Sequence, residues 1–337
     1  MAAPPRNRPT TMEDVAARAG VSRALVSIVF RDQPGASDAT RQRVREAAQE
    51  LGYAPDQRAR LLSRRRSGLV GVQFGVEHPF HGELVEALYV AAEAEGYQLA
   101  LSAVAPTRGE ERAVESLLAY RCEALILLGP NLPTSRLDAL GERVPLVVVA
   151  RNLRSRVVDV VRTDDADGAR QATEHLIGLG HRHIAHVDGG SAPGTAERRR
   201  GYRRAMERAG LAGHQLVVPG GLTELEGVAA GRRLNETDER TRPTAVVAFN
   251  DRCALGVRQA AIDAGWSLPA DLSVVGFDDS RVARLPWVNL TTVRQDVPVL
   301  AERAVAQALV RIAGVGERTA TVVPPQFVLR DSTAAGR

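Results

Sequence analysis

Apolar residues return along this chain at two different intervals. Between Thr11 and Gly52 they recur every three or four positions: Val15, Ala16 and Ala19, then Leu25, Val26, Val29 and Phe30, then Val44, Ala47, Ala48 and Leu51. That spacing puts each set on one face of a short helix. It predicts a first helix stopped by Gly20, a second from Arg23 to Phe30 and a third from Asp38 to Leu51. The polar punctuation agrees. Thr11 with Asp14 forms a capping box with Asp in place of Glu, Gly20 suits a left-handed helix end, and Ser22 and Ser37 precede the second and third helices.

From Leu69 onward the rhythm changes. Short, nearly continuous apolar runs (LVGVQFGV, YQLALSAV, EALILLG, VPLVVVAR, HIAHVDGG, TAVVAFND, LSVVGFDD) alternate with helical patterns such as HPFHGELVEALYVAAEAEGY and CALGVRQAAIDAGW. Runs of this length and composition suit strands buried on both faces. Their alternation with helices predicts parallel sheets covered by helices on both sides. There are enough strands for two such units in succession, and the boundary is expected near Thr163 to Ala172.

The first two helices, joined by a tight turn, read as a helix-turn-helix. Val26 and its apolar neighbours are used inside, which leaves Arg23, Ala24, Ser27 and Ile28 for something outside. Such a motif presents its second helix to the major groove of DNA. The charge distribution fits this. Residues 1–66 carry 13 Arg against 7 Asp or Glu, a net +6, so the chain's overall +4 leaves −2 for the remainder. Excess positive charge at the helical end is what a phosphate backbone selects. The chain has no Lys, and its basic residues are all Arg. No apolar run approaches a membrane span, and MAAPPRNRPT lacks the apolar stretch of a secretory signal, so a cytoplasmic, nucleoid-associated protein is expected. Cys122 and Cys253 lie in apolar segments and read as buried free thiols.

Between the two rhythms lies YAPDQRARLLSRRRSG, a short helix expected at Gln57 to Ser63 followed by an Arg-rich linker. The order of helix-turn-helix, third helix ending ELGYAPD, a hinge with ARLL, and the strand GLVGVQF resembles the lactose-repressor family of bacterial transcription regulators. The resemblance implies an N-terminal all-α head (1–54), a hinge helix and linker (55–68), and an α/β core of two doubly wound parallel-sheet subdomains, periplasmic-binding-protein-like. The N-subdomain would span 69–165 with a return segment at 293–322, and the C-subdomain 166–292 with a closing strand at 323–332. By position, Arg23, Ala24 and Ile28 match the residues that set operator choice, while Thr11, Ser22 and Ser27 match phosphate contacts. Arg31 replaces a common Asn and adds a further phosphate contact. Leu62, with Ala59 beside it, matches the hinge leucine that wedges into the minor groove. Ile28 departs from the Arg common in relatives; it can pack on a thymine methyl but cannot hydrogen-bond a guanine.

Ligands of open α/β sheets bind beyond the carboxyl ends of the strands. Seven polar residues sit at such ends or in the helix that follows: Asp164 and Asp165, Arg198, Asn250 and Asp251, Asp278 and Asp279. Carboxylate, amide and guanidinium groups suit sugar hydroxyls, and Arg also suits carboxylates and phosphates. The resemblance implies that Asp164, Arg198, Asn250 and Asp278 hold a small-molecule effector, with Phe80 stacking on it. The expected protein is a homodimeric repressor on a pseudo-palindromic operator, with no cofactor, no metal and no membrane partner. His181, His183 and His186 lack the companions of a metal site. GGSAPG, Gly189 to Gly194, matches no nucleotide-binding fingerprint and is expected on the cleft rim. Two other classes share such a core: a solute-binding protein, and a glycosidase using Asp164 and Asp278. The export signal and the catalytic motif they would need are missing from the sequence.

Overall fold

The computed structural model describes residues 10–30, 32–53 and 66–336. Arg31, Ala59, Leu62 and the hinge helix expected at Gln57 to Ser63 lie outside the described residues. The chain divides into two units, Met1–Ser67 and Gly68–Arg337.

The first unit is built on helices α1 (Met12–Ala19), α2 (Arg23–Phe30) and α3 (Asp38–Glu50). Thr11 caps α1 with its hydroxyl while Asp14 reaches back to the Thr11 amide at 2.8 Å, and Gly20 closes the helix at φ 67°. Ser37 caps α3. Val15, Ala16, Val26, Val29, Val44, Ala47 and Ala48 form its buried centre, with the Phe30 and Tyr53 rings 5.6 Å apart at the edge. Leu25 is only half-buried and stands outside this cluster, so α2 is anchored by Val26 and Val29.

The second unit holds two parallel sheets. Strands β1 (Leu69–Gly75), β2 (Gln98–Val104), β3 (Ala124–Leu128), β4 (Leu146–Val149) and β5 (Asp159–Thr163) are joined at the far edge by β11 (Ala320–Val323), in the order β11-β5-β4-β3-β1-β2. Between them run α4 (Pro79–Ala94), α5 (Glu110–Ala119) and α6 (Thr134–Gly141). The second sheet, ordered β7-β6-β8-β9, comprises β6 (Ile184–Asp188), β7 (Gln215–Pro219), β8 (Ala245–Ala248) and β9 (Ser273–Val275). Its helices are α7 (Asp165–Gly178), α8 (Thr195–Arg208), α9 (Glu224–Asn235) and α10 (Asp251–Asp263). Strand β10 (Thr292–Arg294) leads into α11 (Val297–Ile312), and β12 (Gln326–Val328) pairs antiparallel with β10.

Strand alternation divides each sheet between two cores. In β3, Ile126 and Leu128 face a cluster with Leu84, Leu88, Leu300 and Val305 from α4 and α11. Leu125 and Leu127 face Val114, Leu117 and Leu137 from α5 and α6. The second sheet does the same with Val187, Val246 and Val274 on one side and Ile184, Ala245 and Val247 on the other.

Three segments differ from the sequence expectation. Strand β7 and helix α9 were not anticipated, because Gly220, Gly221, Gly227 and Gly231 punctuate them like a loop. Gly227 has another purpose: a Cβ there would stand 2.2 Å from the Cys253 carbonyl oxygen, so the glycine lets α9 and α10 approach. Strand β11 also went unread, being a short edge strand with exposed residues. It carries Val323 into the first sheet, and the chain rejoins the second subdomain only at β12.

Candidate functional site

The carboxyl ends of both sheets face a cavity of about 300 Å³. Each β-strand that ends there delivers its next residues into the wall. From the second sheet come Asn250 after β8, Asp278 after β9, and Gly189 to Pro193 after β6. From the first come Gly129 after β3 and Ala150 after β4, with His78, Phe80 and His81 at the start of α4.

Arg198, on the first turn of α8, is the cation of this site and is 6% exposed. Its Nε donates to Asp165 Oδ1 at 2.9 Å, and its Nη1 donates to the Phe249 carbonyl. Its Nη2 stands 3.7 Å from Asp278 Oδ1. The guanidinium lies 3.6 Å from the Phe277 ring centroid and 4.5 Å from that of Phe249. Two carboxylates and two aromatic faces therefore hold it in one orientation. Burial pushes the Asp165 and Asp278 carboxyls upward in pKa, and Arg198 opposes the rise in both. Asp251, deeper in the same wall, is raised by burial although Thr292 and Ser280 donate to it. Asp279, by contrast, is clamped by Arg294 at 2.6 Å and Arg330 at 2.5 Å. Asp278 and Asp279 both have left-handed backbone, φ 109° and 53°, a conformation held because Asp278 N–H donates to Val293 O of β10 at 2.8 Å.

The opposite wall is chemically different. His81 Nδ1 accepts the Gly75 amide at 3.0 Å, so the neutral ring carries its proton on Nε2. Burial, with the neighbouring His78, lowers its pKa to about 3. His78 and His81 lie 4.7 Å apart, centroid to centroid. This wall offers rings, an amide at Asn131 and two residues with little or no side chain, Gly129 and Ala150.

In the first unit, α2 presents Arg23 and Ala24 as exposed residues, with Ser27 and Ile28 half-exposed beside them. Ser22 is exposed and its Oγ accepts from the Leu25 amide at 3.2 Å. Arg23 Nε rests 3.1 Å from Glu13 on α1, an exposed pair that costs little to exchange for another partner.

Residues 11–56 match the description "Bacterial regulatory proteins, lacI family", and residues 173–333 match "Periplasmic binding protein-like domain". The HTH-type transcriptional regulator DegA of Bacillus subtilis is 33% identical over 96% of this chain and 98% of its own length. This chain belongs to the lacI family of bacterial regulatory proteins. A LacI transcriptional regulator from a Rhodococcus species is 50% identical over 79% of this chain and 98% of that one, with a TM-score of 0.77. The lac repressor dimer bound to operator and the anti-inducer ONPF has a TM-score of 0.84 at 29% identity, covering 97% of this chain and 100% of that one. A complex of the transcriptional regulator CelR with cellobiose has a TM-score of 0.70 at 31% identity, covering 96% and 99%. Like its relatives, this lacI-family chain is a DNA-binding transcriptional regulator.

Four of the expected cleft residues in this lacI-family core, Phe80, Arg198, Asn250 and Asp278, line one cavity. Asp164 does not. Its side chain caps α7 by accepting the Asp167 amide at 3.2 Å, and the carboxylate that meets Arg198 belongs to its neighbour Asp165. The doublet of acids was visible in the sequence, but which one turns inward depends on where α7 begins. Asn250 spends much of its amide internally, accepting from Cys253 N–H and donating to Leu222 O. Sequence reasoning missed Gln295, Glu226 and Asn131, which also line the cavity. Nothing in the mixed segment TTVRQDV sets Gln295 apart from its polar neighbours. The three histidines of HRHIAH separate: His181 bonds Thr244 and the Ala334 carbonyl, His183 stacks on His214, and His186 stacks on Tyr202. Both cysteines are buried and free. Among the described residues no helix is long and apolar enough to cross a membrane.

Proposed function

We propose that this regulator is a cytoplasmic repressor that binds a pseudo-palindromic operator as a homodimer, and that a sugar or related polyhydroxylated metabolite in the cleft controls it. The observation that carries the effector reading is the fixed Arg198 guanidinium facing Phe80 across a cavity, a combination suited to hydroxyls on one side and a ring face on the other. The cellobiose complex of CelR adds to its support. Support for a dimer comes from an apolar groove between α4 and α11, lined by Ala87, Val90, Ala91, Pro298 and Val305, where Val90 is 70% exposed.

In this reading Arg23, Ala24 and Ile28 meet base edges, Thr11, Ser22, Ser27 and Arg31 hold phosphates, and Leu62 with Ala59 enters the minor groove. Effector binding closes or twists the cleft and so changes the spacing of the two heads.

Selection of random duplex DNA by the purified full-length protein tests the first half. A palindrome with a flexible pyrimidine–purine step at its centre is the expected product; no enrichment at low salt would overturn the reading. Arg23→Ala should relax base preference by about 1–3 kcal/mol at one position, and an unchanged selected sequence removes Arg23 from the reading set. Leu62→Ala should weaken specific binding much more than nonspecific binding, and equal losses sink the wedge. Calorimetric titration with cellobiose, galactose and ribose tests the second half, with Arg198→Leu as the control expected to abolish any heat.

A further inference from the structure

The chain passes between the two subdomains three times: at Asp164 after β5, at Gln295 and Asp296 after β10, and at Pro324 and Pro325 after β11. Side chains and backbone stitch these crossings together. Asp164 N–H donates to the Val323 carbonyl at 3.0 Å, joining the first crossing to the third. Thr163 Oγ1–H donates to Gln295 Oε1 at 2.8 Å, joining the first to the second. The other end of the same amide, Gln295 Nε2, donates to Asp278 Oδ1 at 2.7 Å, inside the cleft. Gln295 is 4% exposed and Thr163 1%.

The chemistry of this chain of bonds demands an amide. When ionised, Asp278 accepts only, which places the Gln295 nitrogen against it and leaves the oxygen for the Thr163 hydroxyl. At this length glutamine supplies both a donor and an acceptor without having to hold a titrating proton. Asp278 is meanwhile free of any direct bond to the first and third crossings. A second side-chain route to them runs through Arg198 and Asp165, across a 3.7 Å gap, and backbone bonds also join Asp278 to Val293 and to Gln295.

We propose that Gln295 is a positioning residue that ties the cleft carboxylate Asp278 to the hinge at Thr163, so that what happens at Asp278 is passed to the crossings between the subdomains. The proposal rests on the reading of the cleft as an effector site for its biological meaning. The linkage itself exists with or without a ligand. A molecule that donates a hydrogen bond to Asp278 competes for that carboxylate and changes its hold on Gln295. It thereby changes the contact at Thr163, which is the differential interaction that a shift between open and closed arrangements requires.

The test is a double-mutant cycle read by hydrogen exchange on the full-length protein, in peptides covering residues 159–168 and 320–328. Asp278→Ala should speed exchange in both peptides by about tenfold. Gln295→Met, which keeps length and volume without the two bonds, should do the same. The double variant should be no faster than either single one. Additive effects would show that the route runs through Arg198 and would overturn the proposal, as would unchanged exchange in Asp278→Ala. If either variant fails to fold, Thr163→Val cuts the same chain at its hinge end. It should accelerate both peptides while leaving 273–277 at the wild-type rate, and no acceleration counts against the assignment. The sugar titration described above can fail without touching this cycle, so loss of the effector reading and loss of the linkage are separable outcomes.

Discussion

The two subdomains share an architecture and differ in what their strands carry to the cleft. Strand ends of the second sheet deliver Asn250 and Asp278 to the cavity, and Arg198 follows on α8. Those of the first deliver Gly75, Gly129, Ala150 and Thr163, so that rings from α4 reach the cavity over nearly bare backbone. Ala150 even adopts φ 59°, tucking its methyl into a conformation that larger residues seldom take. Charge is thus concentrated on one rigid body, where its partners are fixed before any ligand arrives. The cavity wall of the other body, Phe80, Gly129, Asn131 and Ala150 with two histidines, brings no carboxylate or guanidinium to the cavity. The buried group Arg198, Asp165 and Asp278 stays paired within one subdomain, while the pairs that span the two, Arg281 with Glu86 and Arg284 with Glu83, involve arginines more exposed to solvent.

The sharpest way to break this contrast is Arg198→Leu. It strands Asp165 and Asp278 in a buried wall, and unfolding in urea should show a loss of about 3–5 kcal/mol in the core. A loss below about 1 kcal/mol would mean the charged wall is not pre-paired.

Next comes the pH dependence of Asp278→Asn. The folded pKa of Asp278 is raised, so the folded chain holds that proton over a range where the unfolded chain has released it. Stability from this group is therefore complete below about pH 4 and is lost as pH rises toward 7. The variant should gain on the wild type across that window when melting temperatures are compared. His81 has the opposite sign, since its lowered pKa withholds a proton that the unfolded chain would bind, but it is present in both proteins and cancels in the difference. A wild type that gains on the variant with rising pH contradicts the assignment.

The smallest effect on stability should come from the other wall. Phe80→Ala removes a half-exposed ring at the mouth and should cost less than about 1.5 kcal/mol in folding, while weakening the binding of whichever sugar the titration identifies. If it destabilises as much as Arg198→Leu, the walls do not differ as argued.

The same contrast explains what could be read from the sequence. Apolar runs such as ALILL announce buried strands because every residue in them is inside. Thr11, Gly20 and Ser37 announce helix ends because capping is local chemistry. Asn250 and Asp278 were legible because they come within three residues of a strand's end, and Arg198 because it sits near the start of the helix after β6. What escaped depends on distant chain. Asp165 and Asp164 are indistinguishable until the first turn of α7 is set. Gly227 looks like a loop until Cys253 comes against it. Gln295 is ordinary until Thr163, 132 positions earlier in the chain, arrives on one side and Asp278 on the other.

The interlaced crossings also set the order in which this regulator can be made. The first sheet waits for β11, which ends at Val323, and the second waits for a tail in which Ser332 bonds Val274 and Gly336 bonds Leu179. The core of the reading head, however, is closed by Tyr53. At bacterial rates of synthesis the ribosome needs roughly 15–60 seconds to travel from the one point to the other. During that interval, and in any message that stops short, the nascent chain has every residue of its reading helix and no finished chamber to restrain it.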